Sequence, residues 1–539
     1  MSKNFEHTLK KYKNGIAKIT CQNAEVSVCA PFATVNDELV CGTGFHIPAK
    51  HLYMPERTPD GTKAYYFCTN AHVIDGCASK RVELTFPTHG TTSFYGTVVT
   101  ACHALDFAIV RLTNEYNNFL EQQLGRSFNE IMEEIPALKP NSKVLNTTKQ
   151  TYQSVAAYGY PLDSADCHIS SGKISGRHEF YLQLNSSISS GNSGGPVFNT
   201  QGEVVGMMAA SFDDSEGIAL GIPWSSISKM LLEYRTQDEF VLHTPNLGLA
   251  VQNLIYSYST VKLKDSSLRG ALVKNVFKKS PLHNLVKKND VVLKIGDCNN
   301  EYEIDSKCLV KVTSQHDKIH FCSLNFVMLL DRNTTYLDIW RKGKTKRINF
   351  ALSNDVGKVE EIMPSIEEQD CLIFCGMTMT NLTANHLTSV EDESDPAIVG
   401  FLSSSHMAQH AVVISGFQHP CSVLQQGYDH QLKSMTIITK VNNVEVVTVD
   451  DVRKALNKAI PKYLNNMSDD SKYRFVTLLA HNKEEYIVDL KLGFQLENLL
   501  NATPGFPAEL SVIEDFLEDF NQEVALSQNN KKASKKRKR

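Results

Sequence analysis

The 539-residue chain has no apolar run long enough to cross a bilayer. Its most apolar stretch, Ile319 to Leu330, is interrupted by His320, Ser323 and Asn325, and the opening MSKNFEHTLKKYKNG carries no apolar core of a secretory leader. The spacings CxxC and HExxH are missing, so neither a metal site nor a cofactor is expected. A disulfide framework is missing too: the thirteen cysteines are odd in number and scattered from Cys21 to Cys421. Reduced thiols follow, and with them a cytoplasmic or nuclear setting without a membrane. Cys371 and Cys375, the closest pair, lie in an apolar run that reads as a buried strand, where a thiol packs as a small hydrophobe. A large excess of one charge is also absent. The net charge is -4 from 55 basic and 59 acidic residues, and the last nine residues, KKASKKRKR, hold seven of the basic ones. Without them 48 basic residues face 59 acidic ones, which argues against a folded face that wraps nucleic acid and leaves weak phosphate contacts to the tail alone.

What is present is a globular composition, 42% hydrophobic and 21% charged, in a chain long enough for three or four domains at about 100 to 200 residues each. From Ile16 to about Met230, short β-branched runs such as SVAAYGYP, GEVVGMMAAS and GIALGIPW alternate with Gly, Pro, Asn and Asp. That rhythm predicts many short antiparallel strands in a barrel or sandwich. Between Asn114 and Ile135, Leu120, Leu124, Phe128, Ile131 and Ile135 recur at helical spacing and predict one inserted amphipathic helix. A second unit spans 245–355 and a third 367–495, joined by an acidic stretch. VVLKIGDCN in one and TIITKVNNVEV in the other place a strand before a similar turn, the mark of a repeated β-rich module. In the third unit Thr448 and Asp451 form a capping pair ahead of a helix with Val452, Leu456, Ala459 and Ile460 on its apolar face. Residues 1–15 read as an extension to the 16–236 unit, and 509–539 as an acidic helix followed by a disordered basic tail.

The heptapeptide GNSGGPV, Gly191 to Val197, carries the most chemical information. Glycines around Ser193 allow a tight turn whose N–H groups point to one side, so Gly191, Asn192 and Ser193 are the candidate oxyanion hole, with Ser193 and Gly191 as the donors. A serine hydroxyl needs a base, and of eighteen histidines His72, in CTNAHVID after an apolar strand from Tyr65 to Cys68, is the best placed. Asp106, opening the strand of ALDFAIVRL, supplies the carboxylate that fixes the imidazole tautomer. Each residue alone has a structural explanation: a glycine-rich hairpin, a core histidine, a strand-start cap. Their joint occurrence in the order His, Asp, Ser is the chymotrypsin-type order.

The set CGTGFHI, TNAHVID, LDFAIVRL, AAYGYP, SSGNSGGPV and GIALGIPW resembles the protease domain of the HtrA/DegP (Deg) family of serine proteases. KKSPLHNLVKKNDVVLKIGD resembles a PDZ segment, and GYDHQLKSMTIITKVNNVEV is similar to the divergent last PDZ-like domain of the eukaryotic branch. The resemblance implies a mainly β fold: a trypsin-like double β-barrel over 16–236, then PDZ-like α/β modules over 245–355 and 367–495. It implies Ser193 as nucleophile, His72 as general base and Asp106 as orienting carboxylate. Ile188 matches the lining of the specificity pocket, with Ser186 and Ser187 in place of two alanines. Ile218, Ala219 and Leu220 are expected to form the opposite wall, in a strand pairing with substrate backbone. No acid sits at the pocket base, which favours small or medium apolar P1 side chains. SSGKISG, Ser170 to Gly176, aligns with a regulatory loop, and Leu247, Gly248 and Leu249 fall where a PDZ loop captures a peptide carboxylate. The implied activity is ATP-independent endoproteolysis of unfolded or extended proteins and peptides by a homo-oligomer, a trimer or multiples of it. A catalytically quiescent chaperone or peptide-binding scaffold of the same fold is the alternative. The basic tail reads as a nuclear import signal or a solubilising tail.

Overall fold

Strands are the commonest regular element among the described residues. In the computed structural model the described residues are 10, 12–27, 30–77, 80–142, 153–178, 181–186, 189–211, 217–235, 240–312, 318–356, 359, 361–364, 366–367, 369–388, 410–421, 423–428, 432–468, 470–502 and 506–525. Met1–Glu25 with Thr34–Gly357 forms one compact unit, and Val26–Ala33 with Lys358–Arg539 a second.

The first unit opens with two closed six-stranded barrels. Strands β1 (Ile16–Ser27), β2 (Ala30–Ile47), β3 (Tyr65–Thr69), β4 (Arg81–Thr85), β5 (Ser93–Cys102) and β6 (Phe107–Leu112) close in the order β1-β2-β3-β6-β5-β4. Strands β7 (Ser154–Gly159), β8 (His168–His178), β9 (Tyr181–Asn185), β10 (Pro196–Phe198), β11 (Val204–Ser211) and β12 (Ile218–Pro223) close in the order β10-β11-β12-β9-β8-β7. The alternation of β5, with Phe94, Gly96, Val98 and Thr100 buried and Tyr95 exposed, gives each barrel strand one face for the core. Every residue of β3 is buried, because its outer face is covered too. A shared core cluster joins the barrels. Phe45, Ile47, Cys68 and Phe107 from the first share it with Tyr158, Phe198, Met207 and Ile222 from the second, and Trp224 of the following helix lies with its ring centroid 6.2 Å from that of Phe45. The two barrels meet along this seam, where large buried side chains, each worth about 1.5 to 3 kcal/mol, fix them against each other.

The inserted segment departs from the single helix expected. A 3-10 turn (Asn114–Tyr116) and two short α-helices (Phe119–Leu124 and Phe128–Glu134) take its place. Gly125 ends the first α-helix in the left-handed region (φ 64°), and Ser127 starts the second with a capping box to Glu130. The break comes from this cap signal, which overrides the apolar periodicity; Leu120, Phe128, Ile131 and Ile135 are nonetheless buried.

The rest of the first unit is a sheet of β13 (Leu249–Asn253), β14 (Ala271–Val276), β15 (Val291–Gly296), β16 (Glu301–Glu303), β19 (Tyr336–Arg341) and β20 (Lys344–Asn349), ordered β13-β14-β15-β19-β20 with β16 on β15. A separate ribbon pairs β17 (Leu309–Lys311) with β18 (Lys318–His320). In the second unit β21 (Cys371–Phe374), β22 (Met377–Asn381), β23 (Val412–Phe417), β24 (Thr436–Val441), β26 (Phe475–Ala480) and β27 (Glu485–Asp489) follow one another, with β25 (Val444–Glu445) on β24. From β22 onward the order repeats that of the first sheet, and VVLKIG and TIITKV occupy the same central place as β15 and β24. The added strand β21 lies outside this shared pattern and holds Cys371; the backbone of Ser511 and Val512 bridges to it at Ile373. Thr448 caps the helix Val449–Leu464 through a capping box with Asp451. Among the described residues no helix is long and apolar enough to cross a membrane, and none of the twelve described cysteines is in a disulfide.

Candidate functional site

His72 stands on a one-turn helix, Ala71–Ile74, that begins as soon as β3 ends. Its Nδ1 lies 2.9 Å from Asp106 Oδ2 and 3.0 Å from Oδ1, and its backbone N–H donates to Oδ1 at 3.0 Å. Asp106 closes the turn before β6, its N–H donating to His103 O at 2.9 Å and its backbone in the left-handed region (φ 51°). Asn70 Nδ2 donates to the Asp106 carbonyl at 2.8 Å and ties that turn to the start of the histidine helix. The carboxylate is 18% exposed and the imidazole 50%, so one side of the ring faces solvent while the pairing side is sheltered. Burial on its own would lower the imidazole pKa. The hydrogen bond and charge of Asp106, aided by the charge of Asp75, outweigh it and the net direction is upward. With Nδ1–H held by the carboxylate, the neutral ring carries its lone pair on Nε2.

Ser193 sits on the turn between β9 and β10. The N–H of Asn192 donates to Ser189 O at 3.1 Å, and that of Gly195 to Asn192 O at 3.0 Å. Leu162 N–H donates to Ser190 O at 2.7 Å. Among the described residues the N–H groups of Gly191 and Ser193 donate to no protein acceptor, which leaves them as the two donors of the candidate oxyanion hole, while the N–H of Asn192 belongs to the turn. The first barrel grips this turn. Thr43 N–H donates to Ser193 O at 2.8 Å, and Gly194 (φ 85°) lies so close that a Cβ there would come within 2.1 Å of Thr43 O and 3.1 Å of Asn70 N. The serine turn therefore abuts the residues that lead into His72. The Ser193 hydroxyl donates to Ala209 O at 3.1 Å, and among the described residues no hydrogen bond joins it to His72.

Residues 42–207 match the family model of the trypsin-like peptidase domain. A probable periplasmic serine endoprotease DegP-like of Rhizobium meliloti is 27% identical over 301 residues, covering 53% of this chain and 50% of that protein. A putative protease Do-like 14 of Arabidopsis thaliana is 30% identical over 234 residues, covering 37% and 53%. A serine protease HtrA-like of Staphylococcus aureus is 25% identical over 294 residues, covering 53% and 35%. The chain is a distant homologue of these HtrA/DegP-like serine proteases. It spans about half the length, or less, of these relatives. Among solved structures, an HtrA-type protease AlgW with decapeptide superposes with a TM-score of 0.42 at 16% identity, covering 65% of this chain and 98% of that one.

Other residues singled out in the sequence are placed differently from expectation. Ile218, Ala219 and Leu220 lie in β12, whose residues are paired on both sides: Ala219 opposes Leu184 of β9 and Ser211 of β11. A strand bonded at both edges has no donors left for substrate backbone, and Ala219 packs into the barrel core with Val197 and Leu184. The open edge belongs to β11 instead. Strand β10 begins only at Pro196, opposite Met207, and among the described residues no strand lies on that side of Ala209–Ser211. Ser170–Gly176 is not a loop, since it forms the middle of β8, paired with β7 and β9. Ser187 and Ile188 lie outside the described residues. Ser186 is buried, and among the described residues its hydroxyl has no hydrogen-bond partner.

Leu247 and Leu249 are buried ahead of and at the start of β13, and Gly248 (φ 66°) takes the left-handed turn between them. Its N–H is engaged by Asn246 Oδ1 at 2.8 Å, so that donor is already taken within the loop. Two contributors to the site escaped the sequence reading: Ala209, which acts through a carbonyl that no residue type reveals, and Thr43, whose hydroxyl lies in plain view within CGTGFHI.

Proposed function

We propose that the chain is an ATP-independent serine endopeptidase that cleaves unfolded or extended polypeptides through an acyl-enzyme. The observation that carries this reading is the 2.9 Å bond from His72 Nδ1 to Asp106, on a wall against which the Ser193 turn is held. The Ser193 hydroxyl turns from Ala209 O toward Nε2. As its oxygen bonds to the scissile carbonyl carbon, the imidazole takes the proton, and Asp106 stabilises the imidazolium. Charge collecting on the carbonyl oxygen is received by the N–H groups of Gly191 and Ser193. The C–N bond then breaks, the imidazolium gives its proton to the leaving amine, and water releases the acyl group by the reverse sequence. An extended substrate adds to the open edge of β11 at Ala209–Ser211. The β-rich modules act as PDZ-like domains for recruitment or assembly, in a trimer or a multiple of it, and the basic tail directs nuclear import. Casein cleavage by the full chain tests the assignment: it is lost in Ser193→Ala, and equal cleavage by both proteins removes it. The bond from Ser193 to Ala209 favours a second reading, a quiescent scaffold in which that hydroxyl never reaches the base, and inactivity of the wild type toward casein and small esters alike would establish it.

A further inference from the structure

Thr43 has no exposed surface, and each of its polar atoms is engaged. Its Oγ1 donates to Gly191 O at 2.7 Å and accepts from Tyr160 N–H at 3.1 Å. Its N–H donates to Ser193 O at 2.8 Å, and its carbonyl accepts from Thr69 Oγ1 at 2.8 Å. One residue of the first barrel thus binds the carbonyls on both sides of Asn192. A peptide carbonyl and the N–H of the same plane point in opposite directions, so pinning carbonyls fixes where the neighbouring amides aim. The plane joining Gly191 to Asn192 is held at both ends, by Thr43 Oγ1 at its carbonyl and by Ser189 O at its N–H. The plane after Ser193 is held by Thr43 N–H, with Gly194 N–H on Met208 O at 2.9 Å. Between these two fixed planes lies the Asn192–Ser193 plane, whose N–H is a candidate oxyanion donor and whose carbonyl is held only from within the turn, by Gly195 N–H at 3.0 Å.

We infer that the Thr43 hydroxyl is a positioning residue for the oxyanion hole, holding Gly191 O so that the Gly191 and Ser193 amides converge on the reacting carbonyl. The inference rests on the endopeptidase reading and adds a specific residue to it. A side chain that lacks the hydroxyl frees Gly191 O and lets the turn rotate, and a misplacement of about 1 Å at such a site can cost on the order of 100-fold in rate. Substrate binding along β11 is untouched, so the loss falls on kcat and not on KM.

The test compares full-length wild type, Thr43→Val, Thr43→Ala and Thr43→Ser for kcat and KM on a fluorogenic peptide, for the rate of Ser193 phosphonylation by a diphenyl phosphonate, and for thermal midpoint. Thr43→Val is expected to lower kcat and the phosphonylation rate by about 10- to 100-fold with KM unchanged. Thr43→Ser, which keeps the hydroxyl, restores both to within about threefold of wild type. Thr43→Ala, which crowds nothing, gives the same loss and serves where the valine variant does not fold. Wild-type rates in the valine or alanine variant would overturn the inference, as would equal losses in Thr43→Ser and Thr43→Val, which would point to packing of the methyl group. A wild type that neither cleaves nor labels would bring down the endopeptidase reading together with this role; a reactive wild type beside an equally reactive Thr43→Val brings down this role alone.

Discussion

An imidazole whose Nδ1 is tied to a carboxylate has only Nε2 to offer, which makes Asp106 the most informative side chain to change. In Asp106→Asn the amide oxygen can still accept from the His72 backbone N–H, but its NH2 group faces Nδ1 and moves the ring proton to Nε2. We expect kcat to fall by about 10³- to 10⁴-fold with the unfolding midpoint little changed, measured by ester hydrolysis and calorimetry. The upward direction of the His72 pKa makes a second prediction. The acid limb of kcat/KM, and the NMR titration of the His72 ring, should centre above the ordinary value of about 6.5. In Asp106→Asn the ring titration should move down, and a wild-type midpoint at or below the ordinary value would contradict the pairing. In stability terms, protonated His72 favours the folded state below about pH 6.5, and this contribution disappears as pH rises through the higher folded pKa. His72, Asp106 and Ser193 were legible because side-chain identity announces them. Ala209 was not, since its part is played by a backbone carbonyl that any residue could present.

Among the elements, strand β2 carries a histidine with the opposite behaviour. His46 is 8% exposed, its ring stacks on Phe67 at 5.2 Å, and its Nδ1 meets Ile135 O at 3.1 Å. Burial drives its pKa down to about 4. A depressed histidine pKa means that stability is full above the unfolded value and is lost as pH falls toward the folded one. Between pH 7 and pH 5 this group should remove on the order of 2 kcal/mol from the stability of the first unit. Urea unfolding at the two pH values checks this: His46→Phe should flatten the dependence, and an unchanged slope would rule the group out. The strands of both barrels were readable from their short β-branched runs, whereas pairing was not. Nothing in GIALGIP says that β12 is bonded on both sides, and nothing in SSGKISG distinguishes the middle of β8 from a loop, because partners far along the chain decide both. The inserted segment shows local chemistry prevailing over periodicity. Gly125 and the Ser127–Glu130 box split a pattern whose apolar spacing alone reads as one helix.

For the whole molecule, the two sheets of repeated strand order were foreshadowed by the echo of VVLKIG and TIITKV, since each run is a central strand followed by a tight turn. The extra strand β21 was invisible as such, because a buried apolar run does not reveal which edge it joins. Residues 526–539, which include the basic tail, lie outside the described residues. Deleting Lys531–Arg539 should shift a fluorescently tagged full chain from nucleus to cytoplasm, and an unaltered distribution in imaging would leave the tail a solubilising role. In the proposed mechanism a hydroxyl on one barrel and an imidazole on the other act on one substrate carbonyl. Its most direct test is mass spectrometry of the intact chain after reaction with a fluorophosphonate, with the adduct mapped by peptide sequencing. One adduct per chain is expected, on Ser193, absent from Ser193→Ala and slowed at least about 100-fold in His72→Ala. An adduct elsewhere, or labelling of Ser193 at the same rate without His72, would contradict it.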